Sequence, residues 1–197
     1  MEEKIRNLTF IVIFGFIIMF ILIIGLYFKD GGSSNNSSNN GSSSSSSGSS
    51  STSNYDVSQM NEVDVDEALA LFDEEGTHVL YIGRSTCSVC VQFVPVLNEV
   101  QEDLDFKTNY LDVDAISSIW AKNKTDAAEE MYNQVKRLTD KLDIEASANG
   151  ETDTLGNLFI SKGFTPALVV IKDGKVVEGF FGYRDKDTLT GILEEYL

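Results

Sequence analysis

Apolar and polar positions change rhythm several times along the chain, and each change predicts an element. Residues 8–28, LTFIVIFGFIIMFILIIGLYF, are an apolar run without a charge. At about 1.5 Å per residue such a helix spans roughly 30 Å, the thickness of a bilayer's hydrocarbon core. A cleavable signal peptide has a shorter apolar region ending in small residues, whereas here bulky Tyr27-Phe28 and then Lys29 follow. A buried core helix is the competing reading, but the run is apolar all round and a polar stretch follows it. An uncleaved anchor is the reading taken. Gly31 to Asn54 contains only Gly, Ser, Asn and Thr, with no apolar surface to repay the entropy of ordering. It reads as a disordered tether of roughly 25–30 Å reach, either a leash that lets a domain search the membrane surface or a plain spacer.

Beyond residue 55 the pattern becomes that of an α/β domain. Asp64 to Leu71 reads as a short helix, with Val65, Leu69 and Phe72 at helical spacing and Gly76 as its stop. Thr77 to Ile82 is a β-rich run without Gly or Pro, fit for a buried strand. Phe93, Val94, Leu97, Val100 and Leu104 then recur at helical steps, with Pro95 inside, and Phe106 to Val113 alternates as a second strand. Asp126 with Glu129 forms a capping-box pattern ahead of Met131, Val135, Leu138 and Leu142, which predicts an amphipathic helix over 127–142. Asn149-Gly150 marks a turn, and Leu155 to Lys162 reads as a short helix closed by Gly163. Ala167–Ile171 and Val176–Phe181 are strands joined at Asp173-Gly174, a hairpin signal. Leu189, Ile192, Leu193 and Leu197 make the inner face of a last helix. A parallel strand pair plus an antiparallel hairpin, with helices on both faces, is an α/β sandwich.

Charge sharpens the division. The chain of 197 residues has 31 acidic and 15 basic side chains, a net charge of -16. Residues 1–30 hold three of each sign and 31–54 hold none, so the excess lies wholly in residues 55–197. That length supports one self-sufficient core, which excludes a multidomain enzyme and a disulfide-stapled mini-protein. A domain this acidic has no footprint for phosphate backbones, so no nucleic-acid partner is expected. Lys4 and Arg6 before the apolar run against Lys29 after it put the N-terminus in the cytoplasm and the domain outside. The organisation expected is a cytoplasmic stub and anchor (1–30, span 8–28), a linker (31–54) and one domain (55–197).

The chemistry-bearing pair is Cys87 and Cys90, the only cysteines, in a CSVC motif between a predicted strand and a predicted helix. A structural zinc site needs four N or S ligands and His78 is the only histidine, so no metal is expected. Two unrelated buried thiols and a redox dithiol remain. A thiol at a helix N-terminus faces unpaired backbone N–H groups and the positive end of the helix dipole, which stabilise thiolate. A second thiol one turn later can resolve a mixed disulfide. Arg84 adds positive potential nearby or is merely solvated.

The strand, the CxxC, Pro95 five residues after its second cysteine, and Gly163-Phe-Thr-Pro-Ala-Leu-Val-Val-Ile-Lys-Asp-Gly-Lys175 together resemble the thioredoxin superfamily over residues 62–197. Tyr81 to Cys90, YIGRSTCSVC, is similar to the thioredoxin-like bacteriocin transport accessory proteins of Gram-positive bacteria. The resemblance implies a thioredoxin-like sandwich, with the helix near 127–142 as an insertion. It implies a cis peptide before Pro166, and a loop at Thr165 and Pro166 that holds substrate beside a redox-active Cys87–Cys90 disulfide. Cys87 would be the nucleophile and Cys90 the resolving thiol, without a cofactor. Where thioredoxins carry Trp before the first cysteine and a buried Asp on the strand, this chain has Thr86 and Tyr81, and Ser-Val replaces Gly-Pro between the cysteines. These departures argue against a general cytosolic reductase. Tyr81 and Trp120 read as packing residues and His78 as a surface or edge residue. The acidic runs at 62–73 and 99–105 read as solvated helix faces, and the sequons at Asn36 and Asn123 carry little.

Two functions follow. One is a membrane-tethered extracytoplasmic thiol–disulfide oxidoreductase acting on protein thiols or disulfides, with a membrane electron-transfer partner. The other is a non-enzymatic accessory module for bacteriocin or other peptide export, with a static disulfide. Disulfides persist outside the reducing cytosol, which suits the enzyme.

Overall fold

The computed structural model describes residues 55–197, and the expected anchor and tether lie outside them. Among the described residues no helix is long and apolar enough to cross a membrane.

Five strands form one mixed sheet: β1 (Asn61–Glu62), β2 (Thr77–Gly83), β3 (Thr108–Asp112), β6 (Ala167–Lys172) and β7 (Lys175–Phe181), in the order β1-β3-β2-β6-β7. β1, β3 and β2 run parallel, and β6 is antiparallel to both β2 and β7. The expected parallel pair and hairpin are therefore joined into one sheet, with β2 at its centre. A central strand must be apolar on both faces, and β2 meets this with Val79 and Tyr81 on one side and Leu80 and Ile82 on the other, all at most 1% exposed.

Each face has its own core. Val79, Tyr81, Tyr110, Leu168 and Val170 pack under α2 (Ser88–Asp103) and α5 (Lys186–Glu194), through Phe93, Val94, Leu97, Leu189 and Leu193. Leu80, Ile82, Leu111, Val169 and Ile171 pack under α1 (Val65–Ala70), α3 (Asp126–Thr139) and α4 (Leu155–Lys162), through Ala68, Val135, Leu138, Leu158 and Phe159. Helices thus cover both faces, as the periodicities predict.

Several local expectations need correction. The helix cap expected at Asp126 is Thr125, whose hydroxyl accepts the Ala128 N–H at 3.3 Å, so Asp126 is the first helical residue. The true capping box is at α1, where Asp64 and Glu67 exchange bonds of 2.8 and 2.9 Å. α3 stops at Thr139, short of the expected 142, because the chain turns there to meet α4; Leu142 remains fully buried and its carbonyl accepts the Gly156 N–H at 3.1 Å. α5 ends at Glu194 and leaves Leu197 49% exposed rather than on an inner face. The last turn is drawn to the sheet by the Tyr196 carbonyl, which accepts from Thr77 Oγ1 at 2.9 Å and Lys172 Nζ at 3.0 Å.

The segment between β3 and β6 is also richer than one inserted helix. A 3-10 turn at Ser117–Trp120 precedes α3, and β4 (Glu145–Ala148) and β5 (Glu151–Thr154) form a separate antiparallel hairpin before α4. Its turn residues Asn149 and Gly150 have φ of 51° and 82°, the left-handed pair favoured in two-residue hairpins. The turn was legible, but the strands were not. Only Ala146 among their residues is buried, so no apolar alternation marks them.

Candidate redox site

Cys87 is the N-cap of α2, in extended backbone at φ −90° and ψ 115°. β2 ends at Gly83, and the intervening turn is closed by the Cys87 N–H donating to the Arg84 carbonyl at 3.3 Å. The Cys87 sulfur accepts the Cys90 N–H at 3.2 Å and donates to the Thr165 carbonyl at 3.5 Å. It is partly exposed, whereas Cys90, one helical turn on, is fully buried. Both are free thiols. The pair is thus asymmetric in access, with one sulfur at the surface and one behind it.

Electrostatics follow the same division. Burial raises the Cys87 thiol's pKa, but hydrogen bonds from the Cys90 thiol, the Thr165 side chain and the Cys90 and Val89 backbone outweigh it, so Cys87 lies below the ordinary value. Burial, followed by the hydrogen bond to Cys87, pushes Cys90 up to about 11, although the backbone of Arg84 opposes this. The thiolate therefore belongs on Cys87.

The second strand of the site is the loop after α4. Gly163 caps α4 in left-handed conformation at φ 66°, and the Thr165–Pro166 peptide is cis. The loop is tied to the end of β7 by the Gly182 N–H donating to the Pro166 carbonyl at 2.9 Å. Cys87, Cys90 and Thr165, separated by up to 78 positions in the chain, therefore meet, with Pro166 joining the loop to β6.

Tyr81 lies beneath the dithiol. It is fully buried, stacked on Tyr110 at 5.5 Å between ring centroids and tilted against Phe93 at 6.1 Å, as a packing residue should be. Its hydroxyl lies beside the Tyr55 hydroxyl and the Cys90 thiol, the polar groups that act on it. It presses on the end of β2, where a Cβ on Gly83 would collide with the phenol. Burial, followed by the Cys90 charge, holds this phenol well above the usual tyrosine range, so it stays protonated. Trp120 packs edge-on against Phe159 at 5.7 Å, and its indole N–H donates to the Ile160 carbonyl at 2.9 Å. His78 is partly buried, with Glu74 at 3.6 Å, a partner that spacing alone did not reveal.

Sequence reasoning missed the apolar rim. Val89, between the cysteines, is 37% exposed, and Tyr183, just past β7, is 45% exposed and packs edge-on against Phe93 at 6.3 Å. These are two of the three exposed large hydrophobic residues among those described. An apolar residue inside the CxxC was the signal available for Val89; for Tyr183 there was none. No group of His, Cys, Asp or Glu among the described residues could hold a metal ion.

No family model and no curated protein matches the chain. Among solved structures it is similar to the reduced thioredoxin pre-protein of Schistosoma mansoni (17% identity over 71% of this chain and 99% of that one, TM-score 0.40). It is likewise similar to the thioredoxin of Fasciola hepatica (16% identity, 70% and 100%, TM-score 0.42) and to chloroplastic thioredoxin z (12% identity, 70% and 94%, TM-score 0.42). The sheet order, with a dithiol at the N-terminus of the helix that follows the central strand and a cis-proline loop against it, is a thioredoxin-like α/β fold.

Proposed function

We propose that the chain is a membrane-tethered, extracytoplasmic thiol–disulfide oxidoreductase that exchanges disulfides with polypeptide substrates through Cys87 and Cys90. The observation that carries the reading is the asymmetry of the two thiols: a partly exposed, lowered-pKa Cys87 at a helix N-cap, backed by a buried Cys90. In the reducing direction the Cys87 thiolate attacks a substrate disulfide and forms a mixed disulfide; the displaced substrate thiolate takes up a proton. Cys90 then loses its proton and attacks Cys87 Sγ, and the second substrate sulfur leaves as a thiol. Two electrons pass from the dithiol to the substrate, leaving a Cys87–Cys90 bond. The reverse sequence oxidises a substrate dithiol. The Thr165–Pro166 loop, whose carbonyl already meets the Cys87 sulfur, holds the substrate chain beside the reacting bond. The apolar run at 8–28, with Lys4 and Arg6 before it, supports the tether and the orientation. The substrates proposed are protein thiols or disulfides, with a membrane electron-transfer partner, and the resemblance of YIGRSTCSVC to bacteriocin transport accessory proteins supports the alternative of a non-enzymatic export module.

Cys90→Ala tests the reading. Because there is no third cysteine, this variant should accumulate a Cys87-linked mixed disulfide on non-reducing gels of membranes, and Cys87→Ala should accumulate none. If a folded and exposed Cys90→Ala protein forms no adduct, the static-disulfide accessory module replaces the enzyme. A reduction potential within about −120 to −270 mV, the span of known exchange catalysts, is also expected.

A further inference from the structure

The β4–β5 hairpin is the part of the domain that disulfide exchange leaves without a task. It stands outside the five-stranded sheet, yet it is firmly based beside β7. A Cβ at Gly179 of β7 would lie 2.9 Å from Leu155 Cδ1 and 3.2 Å from Ile144 Cγ2, so the residues at the two ends of the hairpin occupy the room that a side chain would need. The base is closed by the Leu155 N–H donating to the Ile144 carbonyl at 2.8 Å. Nearer the tip, the Ser147 and Thr152 hydroxyls are hydrogen bonded at 2.7 Å. A hairpin pinned at both points holds its turn in place.

At the tip Ala148 is half-buried against the core, while Ser147 and Asn149 are exposed. Ser147, Ala148 and Asn149 form one wall of a groove of about 330 Å³ whose other side includes Val89, Phe164 and Thr165. The groove lies next to the reactive sulfur, because Thr165, which lines it, accepts through its carbonyl from Cys87 at 3.5 Å. Its volume is at the low end for ligand sites, which suits one or two side chains of an extended chain rather than a folded surface. Val89 is exposed within it, and Phe164 is braced edge-on against Phe181 at 6.0 Å. None of the residues lining it is charged. The exposed charges of the hairpin are Glu145, Glu151 and Asp153, and the nearby cation Lys162 is engaged with Glu151 at 2.8 Å.

Resting on the exchange reading above, we propose that the β4–β5 hairpin is the specificity wall of the site, selecting extended polypeptide segments with an apolar side chain beside the reacting cysteine. An apolar side chain there is buried against Val89 and Phe164, whereas a carboxylate would be desolvated without a cation. The hairpin turns a general dithiol into one that reads the residue next to the substrate's cysteine.

The test uses the full-length reduced protein, neutral peptides carrying one cysteine as its 2-pyridyl disulfide, and the 2-pyridyl disulfide of mercaptoethanol as a small neutral reference. The residues flanking the cysteine are Leu, Ser or Asp, and release of pyridine-2-thione gives each rate at 0.15 M salt. The Leu peptide should react about tenfold faster than the Ser peptide, the ratio that roughly 1.4 kcal/mol of partial side-chain burial gives, and the Asp peptide should be slowest. Ala148→Arg should erase the Leu advantage and lift the Asp peptide to the Ser rate or above, a gain that loss of structure would not produce. Val89→Ser, at an exposed position, should reduce the Leu advantage without changing the order of Ser and Asp. Equal rates for Leu and Ser in the unaltered protein, or a Leu advantage retained in Ala148→Arg, overturn the proposal. Failure of the unaltered protein to react with the small reference overturns instead the exchange reading on which it rests.

Discussion

At the scale of single residues, the site is governed by what surrounds two sulfurs and one phenol. Alkylation of Cys87 in the reduced protein should rise with pH through a midpoint below that of an ordinary thiol, while Cys90 stays unreactive until about pH 11. Mass spectrometry after iodoacetamide pulses at graded pH would check both. The raised Cys90 value also bears on stability. An unfolded chain releases this proton near the ordinary value of 9.0, but the folded chain keeps it to about 11, so the unfolded state binds fewer protons in between. Stability of the reduced protein should therefore fall as pH rises from about 9 to 11, and Cys90→Ala should lack that component in urea titrations. Tyr81 carries a different cost. Its buried hydroxyl has the Tyr55 hydroxyl and the Cys90 thiol beside it, and a buried polar group whose hydrogen bonding is incomplete costs up to about 1–3 kcal/mol. Tyr81→Phe is expected to change stability by no more than about 1 kcal/mol in urea titrations, and a larger loss would show that the contacts with Tyr55 and Cys90 are strong hydrogen bonds.

At the scale of elements, close approach decides where substitutions are tolerated. Gly156, in the first turn of α4, passes so near α3 that a Cβ would overlap the Thr139 carbonyl and its carbon. Backbone cannot swing aside as a flexible side chain can. Gly156→Ala should cost about 2–3 kcal/mol or more, as overpacking in a tight core does, and the denaturation midpoint would report it. At α1 the capping box predicts a smaller effect: Asp64→Ala should cost about 1 kcal/mol by leaving the Glu67 N–H without its acceptor. If Asp64→Ala proved the more damaging of the two, the α3–α4 approach would not be the tighter constraint.

At the scale of the whole molecule, one sheet with an independent core on each face carries all 16 excess negative charges. Ion pairs such as Lys186 with Glu99 and Asp103, at 3.3 and 2.9 Å, relieve little of this at the surface. Net self-repulsion disfavours the compact state and is screened by salt. The unfolding midpoint should therefore rise between 0.05 and 0.5 M sodium chloride, and a fall would show that local ion pairs outweigh the net charge.

Much of this architecture was legible because burial leaves a period in the chain. β2, α2 and the β6–β7 hairpin carry continuous or periodic apolar residues bounded by turn chemistry, and CSVC at a strand-to-helix junction placed the dithiol without any coordinates. Pro95 and Pro166 reinforced the assignment through resemblance. The β4–β5 strands left no such trace, since only Ala146 is buried, and hydrogen bonds to a neighbouring strand are not written in hydropathy. Nor could spacing show that Thr165 reaches a sulfur 78 positions away, that Leu197 turns outward, or that Val89 faces a groove walled by a remote hairpin. Local propensity and periodicity are short-range properties and were set by the sequence alone. Which thiol is exposed, which is buried, and what stands beside them depend on contacts between distant segments, and only the tertiary structure decided those.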